Sequence, residues 1–143
     1  MPTLTIESSR FGTLEIAADA VIEFPTGLVG LASRRYTIHT HDESSPFRWL
    51  HSVDDPSLAL PITDPWQFFA DFQIDLTPED HARVGEGDAA VWVIVRAAAE
   101  LAEFTANLHA PVVINDGRGH QLLNTIPHPV RVPLFDAVTA QAA

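Results

Sequence analysis

The side chains of this 143-residue chain that could carry chemistry are its histidines and carboxylates, and their spacing limits what they could do. His39 and His41 stand two apart on a strand-like run, so they share a face and would supply half of a metal site. The remaining ligands would have to come from distant segments, because no HExxH-type spacing occurs. His51, Ser52, Asp54 and Asp55 include the residue types of a hydrolytic triad. Adjacent strand residues point to opposite faces, which keeps His51 from meeting Ser52, and the chain has no GxSxG elbow. Asp71 with Asp75, and Asp54 with Asp55, could be paired as general acid and base. Such pairs need apolar burial to separate their affinities for protons, and these acids sit among prolines and other acids in turn-like sequence. A DxDxDG calcium loop is missing as well. Cysteine and lysine are absent, which removes thiolate ligands, cysteine nucleophiles, Schiff-base chemistry and a P-loop lysine. The expectation is a protein that is not an enzyme and uses no cofactor and no metal. A small metal-dependent hydrolase built on His39 and His41 is the alternative in that class.

The charge suggests binding instead. The net charge is −11, and residues 54–88 carry most of it. That segment holds Asp54, Asp55, Asp64, Asp71, Asp75, Glu79, Asp80, Glu86 and Asp88 against Arg83 alone. A field of this sign repels nucleic acid and membrane phosphates and attracts basic proteins; its plainer role is solubility. Trp66, Phe68, Phe69 and Phe72 lie in the same segment. A strand-like alternation buries one face, so about two of the four are expected in the core. Any that are exposed would form an aromatic patch with an acidic rim, a plausible protein-binding surface. The residues assigned to partner binding are Asp71, Asp75, Glu79, Asp80, Trp66 and Phe69.

The elements that must position these groups are short. Eleven prolines punctuate the chain and exclude long helices almost everywhere. Period-two alternation around Leu4–Ile6, Leu14–Ile16, Tyr36–Ile38 and Phe104–Leu108 predicts strands with one wet face. Ala89–Val95 is apolar throughout and rich in β-branched residues, which predicts a central strand covered on both faces. Val112–Asn115 and Gln121–Asn124 flank Asp116-Gly117-Arg118-Gly119, a hairpin signal. One helix is predicted, with Thr77 as N-cap, Pro78 first, Glu79 and Asp80 in the first turn and an end before Gly85. The predicted fold is one mainly β domain over residues 1–143, a small antiparallel barrel or sandwich with one short helix and a loose tail at 135–143. No apolar run is long enough to span a bilayer and no secretory signal opens the chain, so a soluble cytoplasmic protein is expected.

Four ordered blocks carry a family resemblance. Phe47–Phe72 (FRWLHSVDDPSLALPITDPWQFFADF) resembles the FliW segment LQSVEDPxLAFxVxDPxxFFPDY. Ile22–Leu31 (IEFPTGLVGL) is similar to FPxGLPGF, Thr105–Leu123 (TANLHAPVVINDGRGHQLL) to TxNLxAPIVIN followed by Gly-Gln, and Val130–Leu134 (VRVPL) to VRxPL. Phe11-Gly12 also fits. His51 stands where the family commonly has Gln, Val29 replaces the Pro of GLPG, and Ala70 replaces the Pro of FFPDY. Most matching positions have structural readings: Gly27 and Gly30 for turns, Pro56, Pro65 and Pro111 for turns or strand starts, Asn107 and Asn115 for capping backbone groups.

The resemblance implies a regulatory cycle. FliW proteins bind flagellin in the cytoplasm and also bind CsrA, a small basic RNA-binding dimer that represses flagellin translation. Export of flagellin frees FliW to take up CsrA, and translation resumes. The partners implied are therefore CsrA and flagellin, with no direct contact to nucleic acid or membrane. A flagellin-specific chaperone with no role toward CsrA is the other reading of the same resemblance.

Overall fold

The computed structural model describes residues 3–28, 30–87, 89–97, 99–100, 103–128 and 131–134. The expected loose tail at 135–143, Val29, Asp88 and Val130 lie outside the described residues.

The chain begins with a hairpin of β1 (Thr3–Ser8) and β2 (Gly12–Ala17), which pair antiparallel with each other and form a separate two-stranded sheet. The rest builds around a ring. β3 (Ile22–Glu23), β4 (Arg35–His39), β5 (Phe47–Ser52), β6 (Ala59–Thr63) and β7 (Ala90–Arg96) follow as an antiparallel meander. β8 (Thr105–Ala106) lies beside the end of β7, and β9 (Val112–Asn115) and β10 (Arg118–Gln121) form the expected hairpin. β11 (Val132–Pro133) pairs with β8. Two contacts close the ring: β7 pairs antiparallel with β9, and β10 pairs with β3. The result is a closed barrel of seven strands, with β8 and β11 as an extension outside it. Every pairing is antiparallel except β10–β3, which is parallel and rests on Arg118 opposite Glu23.

The predicted hairpin turn is Asp116-Gly117 alone. Both residues have positive φ, 53° and 74°, as a two-residue turn of the primed type requires. β10 therefore starts at Arg118 and takes Gly119 into the strand, three residues earlier than the sequence suggested. Gly119 is buried against Phe24, which is itself fully buried in the barrel. A Cβ at Gly119 would come within 2.4 Å of the Phe24 ring, so only glycine lets the two strands meet there.

Strand alternation sorts the core into two layers. Tyr36, Leu50, Ile62 and Val112 point into the barrel with Ile22 and Phe24, joined by the half-buried Trp92 and Ile94 of β7. Val93 and Val95 point out of it, against Phe72, Ala106, Leu108 and Leu134. β7 is thus covered on both faces, as its uninterrupted apolar run predicted. β5 and β6 lacked a clear alternation signal, partly because Pro61 interrupts the run. Pro61 has no amide hydrogen, and it pairs with Trp49 of β5 just before the β6–β7 ladder starts at Ile62.

The helix α1 (Pro78–Val84) has the predicted ends. The Thr77 hydroxyl accepts the Asp80 amide hydrogen at 3.2 Å, and Gly85 ends the helix at φ 82°. Asn115 of β9 donates its side-chain amide to the Val84 and Glu86 carbonyls at 2.8 and 3.1 Å, which ties the helix end to the barrel. Ahead of the helix, the segment from Gln73 to Asp75 has no strand partner. It is pinned by Asn124, which is 4% exposed, donates to the Gln73 carbonyl at 2.8 Å and accepts from the Asp75 amide at 3.0 Å.

Two substitutions test these attachments. Gly119→Ala should lower unfolding free energy by about 1–3 kcal/mol, and less in a Phe24→Leu background, where the ring tip is gone. Equal losses in both backgrounds in urea titrations would mean the close approach is not the cause. Asn124→Ala removes the bonds that hold the Gln73 carbonyl and the Asp75 amide and should cost on the order of 1 kcal/mol. Amide exchange should rise first at Asp75 and Thr125; uniform loosening across the barrel would contradict a local pin.

Candidate partner-binding surface

The aromatic segment leaves β6 through Asp64, whose carboxylate accepts the Trp66 amide at 2.9 Å and caps a single 3-10 turn, Pro65–Gln67. That cap turns the chain back across the outer layer of the core. Phe72 is buried, Phe68 and Phe69 are half-buried, and Trp66 is 42% exposed. The expected division between core and surface is therefore graded. Trp66 does not swing free: its indole N–H donates to the Phe72 carbonyl at 2.9 Å, and its ring meets Phe72 edge-on at 5.4 Å.

Phe68, Phe69, Ala70, Asp71 and Phe72 line a hollow of about 460 Å3 with Leu108, His128 and Val132. Its walls are apolar, and Asp71 is exposed among them. His128 packs on Phe72 at 5.1 Å between ring centres, and its Nε2 lies 3.2 Å from the Gln73 carbonyl. Leu108, His128 and Val132 were not assigned from the sequence. Val132 falls in a matched block, but nothing in its local spacing says that it returns to the aromatic segment through β8 and β11.

The four assigned carboxylates do not form one cluster. Asp71 belongs to the aromatic hollow. Asp80 lines a second hollow of about 410 Å3 with Thr77, Arg83, His109, Leu123 and Asn124 among others. Thr125, also in that lining, donates its hydroxyl to the Asp75 carboxylate at 2.7 Å, which places Asp75 beside the second hollow. Leu123, 61% exposed, is an apolar wall there that sequence reasoning missed. The Asp80 side chain is only 17% exposed and lies 3.6 Å from Arg83. Asp71 and Glu79 are exposed, and among the described residues neither side chain has a hydrogen bond or ion pair, so they present the least compensated charge of the four.

Other acids of the segment hold backbone. The Asp55 carboxylate accepts from the Ser57 hydroxyl and amide, and those bonds keep it below the usual carboxylate range. Arg35 does the same for Asp54. That ion pair is about half-exposed on both sides, so it adds little stability.

The histidines and the serine considered for catalysis lie elsewhere. His39 and His41 do share a face, with ring centres 6.1 Å apart, but both pack on Phe11, at 4.6 and 5.1 Å. Among the described residues no group of three or more His, Asp or Glu side chains is placed to hold a metal ion. His51 and Ser52 point to opposite faces as expected, His51 toward Ser8 of the hairpin and Ser52 toward Ser33. His51 is fully buried rather than available at the surface. Among the described residues, no helix is long and apolar enough to cross a membrane.

Comparison with known proteins agrees with the barrel and its order of elements. The family model described as FliW protein matches residues 5–134. The chain is 31% identical over 145 aligned positions to the flagellar assembly factor FliW of Desulfitobacterium hafniense, covering 96% of this chain and 95% of that one. It is 35% identical over 116 positions to the flagellar assembly factor FliW of Oceanobacillus iheyensis, covering 78% and 79%. A crystal structure of the flagellar assembly factor FliW superposes with a TM-score of 0.83 at 30% identity, over 92% of this chain and 96% of the other. With a match that spans the barrel from β1 to the end of β11, this chain belongs to the FliW family of flagellar assembly factors.

Proposed function

We propose that this chain acts in flagellar assembly by binding two proteins in the cytoplasm, flagellin and the translational repressor CsrA, and thereby couples flagellin synthesis to export. The observation that carries the reading is the apolar hollow walled by Phe68, Phe69 and Phe72, with exposed Asp71 at its lining and Trp66 beside it, in the most acidic stretch of the chain. An apolar hollow suits the apolar face of a flagellin terminal helix, which docks by burial and tolerates salt. The exposed Asp71 carboxylate in its lining, with the acidic field of the same segment, suits a cationic RNA-binding protein, whose approach it steers and whose wrong orientations it rejects. No bond is made or broken in this scheme; the regulation lies in competition or coupling between two partners.

The separation of the carboxylates sharpens the assignment. Among the described residues the Asp71 and Glu79 side chains have no partner, whereas Asp75 and Asp80 are engaged with Thr125 and Arg83. The first pair is therefore assigned the larger share of attraction to CsrA, and Trp66 with Phe69 the larger share of contact with flagellin.

Titration calorimetry of this protein against CsrA and flagellin of the same organism, at two salt concentrations, checks the scheme. Binding to CsrA should weaken with salt and binding to flagellin should hold. Reversing both Asp71→Arg and Glu79→Arg should weaken CsrA binding by about tenfold or more and flatten its salt dependence, with a smaller effect on flagellin. Unchanged CsrA affinity and salt slope would place that surface elsewhere. Trp66→Ala should reduce flagellin affinity by several-fold, roughly what one lost aromatic anchor costs. Flagellin binding with no CsrA binding at all would leave a chaperone.

A further inference from the structure

The β1–β2 hairpin shares no ladder with the barrel, yet it covers the outer face of β4 and β5. Three contacts outside the sheet help to hold it. Ile6 is 2% exposed, the Ser9 amide donates to the Pro56 carbonyl at 2.9 Å, and Phe11 in the turn packs on His39, His41 and Trp49. The polar centre of this contact is Ser8 with His51.

Counting donors and acceptors fixes the protonation state there. The Ser8 hydroxyl oxygen lies 3.2 Å from the Arg10 amide nitrogen and 3.0 Å from that of Phe11. Both can only donate, so both lone pairs of the hydroxyl are occupied. Its own hydrogen points to its other neighbour, Nε2 of His51, at 2.7 Å. On the far side of the ring, Nδ1 lies 2.7 Å from the Ser52 carbonyl, which can only accept. His51 is therefore neutral, with its hydrogen on Nδ1 and its lone pair on Nε2. A proton added at Nε2 would face a hydroxyl that has no lone pair left, on a ring that is fully buried.

We propose that Ser8 and His51 form a proton-sensitive latch, which seats the β1–β2 hairpin while His51 is neutral and releases it when His51 is protonated. The charges around it mostly act in the same direction. Arg10 of the hairpin turn lies over Trp49, and His39 of β4 and His41 of the following loop pack on the same Phe11 that neighbours His51. Burial, reinforced by His41 and His51, holds His39 below the ordinary imidazole range. Asp55, in the loop after β5, is the carboxylate whose charge opposes them, and it is exposed and bonded to Ser57. Glu7 is exposed and bonded to Thr13 across the hairpin. The sign follows. Groups whose neutral form is favoured in the seated state contribute stability that is present at higher pH and lost as pH falls.

Release has a consequence for binding. Trp49 touches Phe11 at 5.3 Å and also lines an apolar hollow of about 380 Å3 with Phe47, Pro61, Val95 and Phe104. Lifting the hairpin would remove Phe11 from one side of Trp49 and widen that apolar surface, which is separate from the hollow assigned to flagellin.

Nuclear magnetic resonance on the full-length, nitrogen-15-labelled chain tests the latch. The ring nitrogens of His51 should report the Nδ1–H form near neutral pH. Exchange protection of the Arg10 and Phe11 amides, corrected for intrinsic rates, should fall at least about tenfold between roughly pH 7.5 and pH 5, while barrel amides such as Ile114 keep theirs. His51→Gln retains one donor and one acceptor and cannot titrate, so its hairpin protection should stay level with pH. A His39→Gln/His41→Gln double variant should keep the wild-type response. An Nε2–H form of His51, or wild-type protection that ignores pH, would overturn the proposal. So would a wild-type-like pH response in His51→Gln. Should His51→Gln fail to fold, the ring signals and the double variant decide alone.

Discussion

A strand offers two faces and two edges, and β7 uses all four. Trp92 and Ile94 fill the barrel while Val93 and Val95 seat the outer layer; β6 borders it along Val93 and Ile94, and β9 and β8 border it along Ala90–Trp92 and Val95–Arg96. Without this strand the ring would be an open sheet, and the aromatic segment would have nothing to pack on. The constraint reaches the candidate surface directly. Phe72 is held against Val93 and Val95, Trp66 is held by the Phe72 carbonyl and ring, and Phe69 and Asp71 are displayed between them. Position at the surface is thus inherited from a strand that is covered on both faces.

The acidic character of the chain divides into charges with structural duties and charges without them. Asp42, Asp55 and Asp64 cap their own turns through nearby amides or hydroxyls, and Asp54 meets Arg35. Such carboxylates are spoken for locally, and their fields are partly offset by the donors they face. Asp71 and Glu79 have no such partner among the described residues. Net charge alone therefore overstates how much of the surface is available to attract a partner, and the distribution of hydrogen bonds corrects it.

Much of this fold is legible in the chain itself. The helix ends, the Asp116-Gly117 turn and the double-sided strand are encoded by neighbours within a few residues, where capping, positive φ and apolar runs act. What was not legible depends on distant partners. Asn124 reaches back to Gln73 and Asp75, and Thr125 to Asp75, across about fifty positions of sequence. That span separates the assigned carboxylates into two surroundings, a division no spacing rule contains. His51 is covered by a hairpin whose Ser8 stands 43 positions earlier, which no local spacing indicates. The aromatic residues were found because their clustering is local, and Leu108, His128 and Val132 were missed because theirs is not.

The parallel contact between β3 and β10 sets the order in which the molecule can be made. It joins Glu23 to Arg118, and the neighbouring Phe24–Gly119 contact has the same span. A chain emerging from the ribosome can form the first hairpin and then the meander through β6 from adjacent segments, but it cannot close the ring until β9 and β10 have left the exit tunnel. Until then β3 keeps one edge open, and β7 lacks the partner that shields its other side. Ring closure is the slow, high-separation step expected of such topologies. The closed barrel, and with it the candidate surface, therefore exists only once nearly all of its strands have been synthesised.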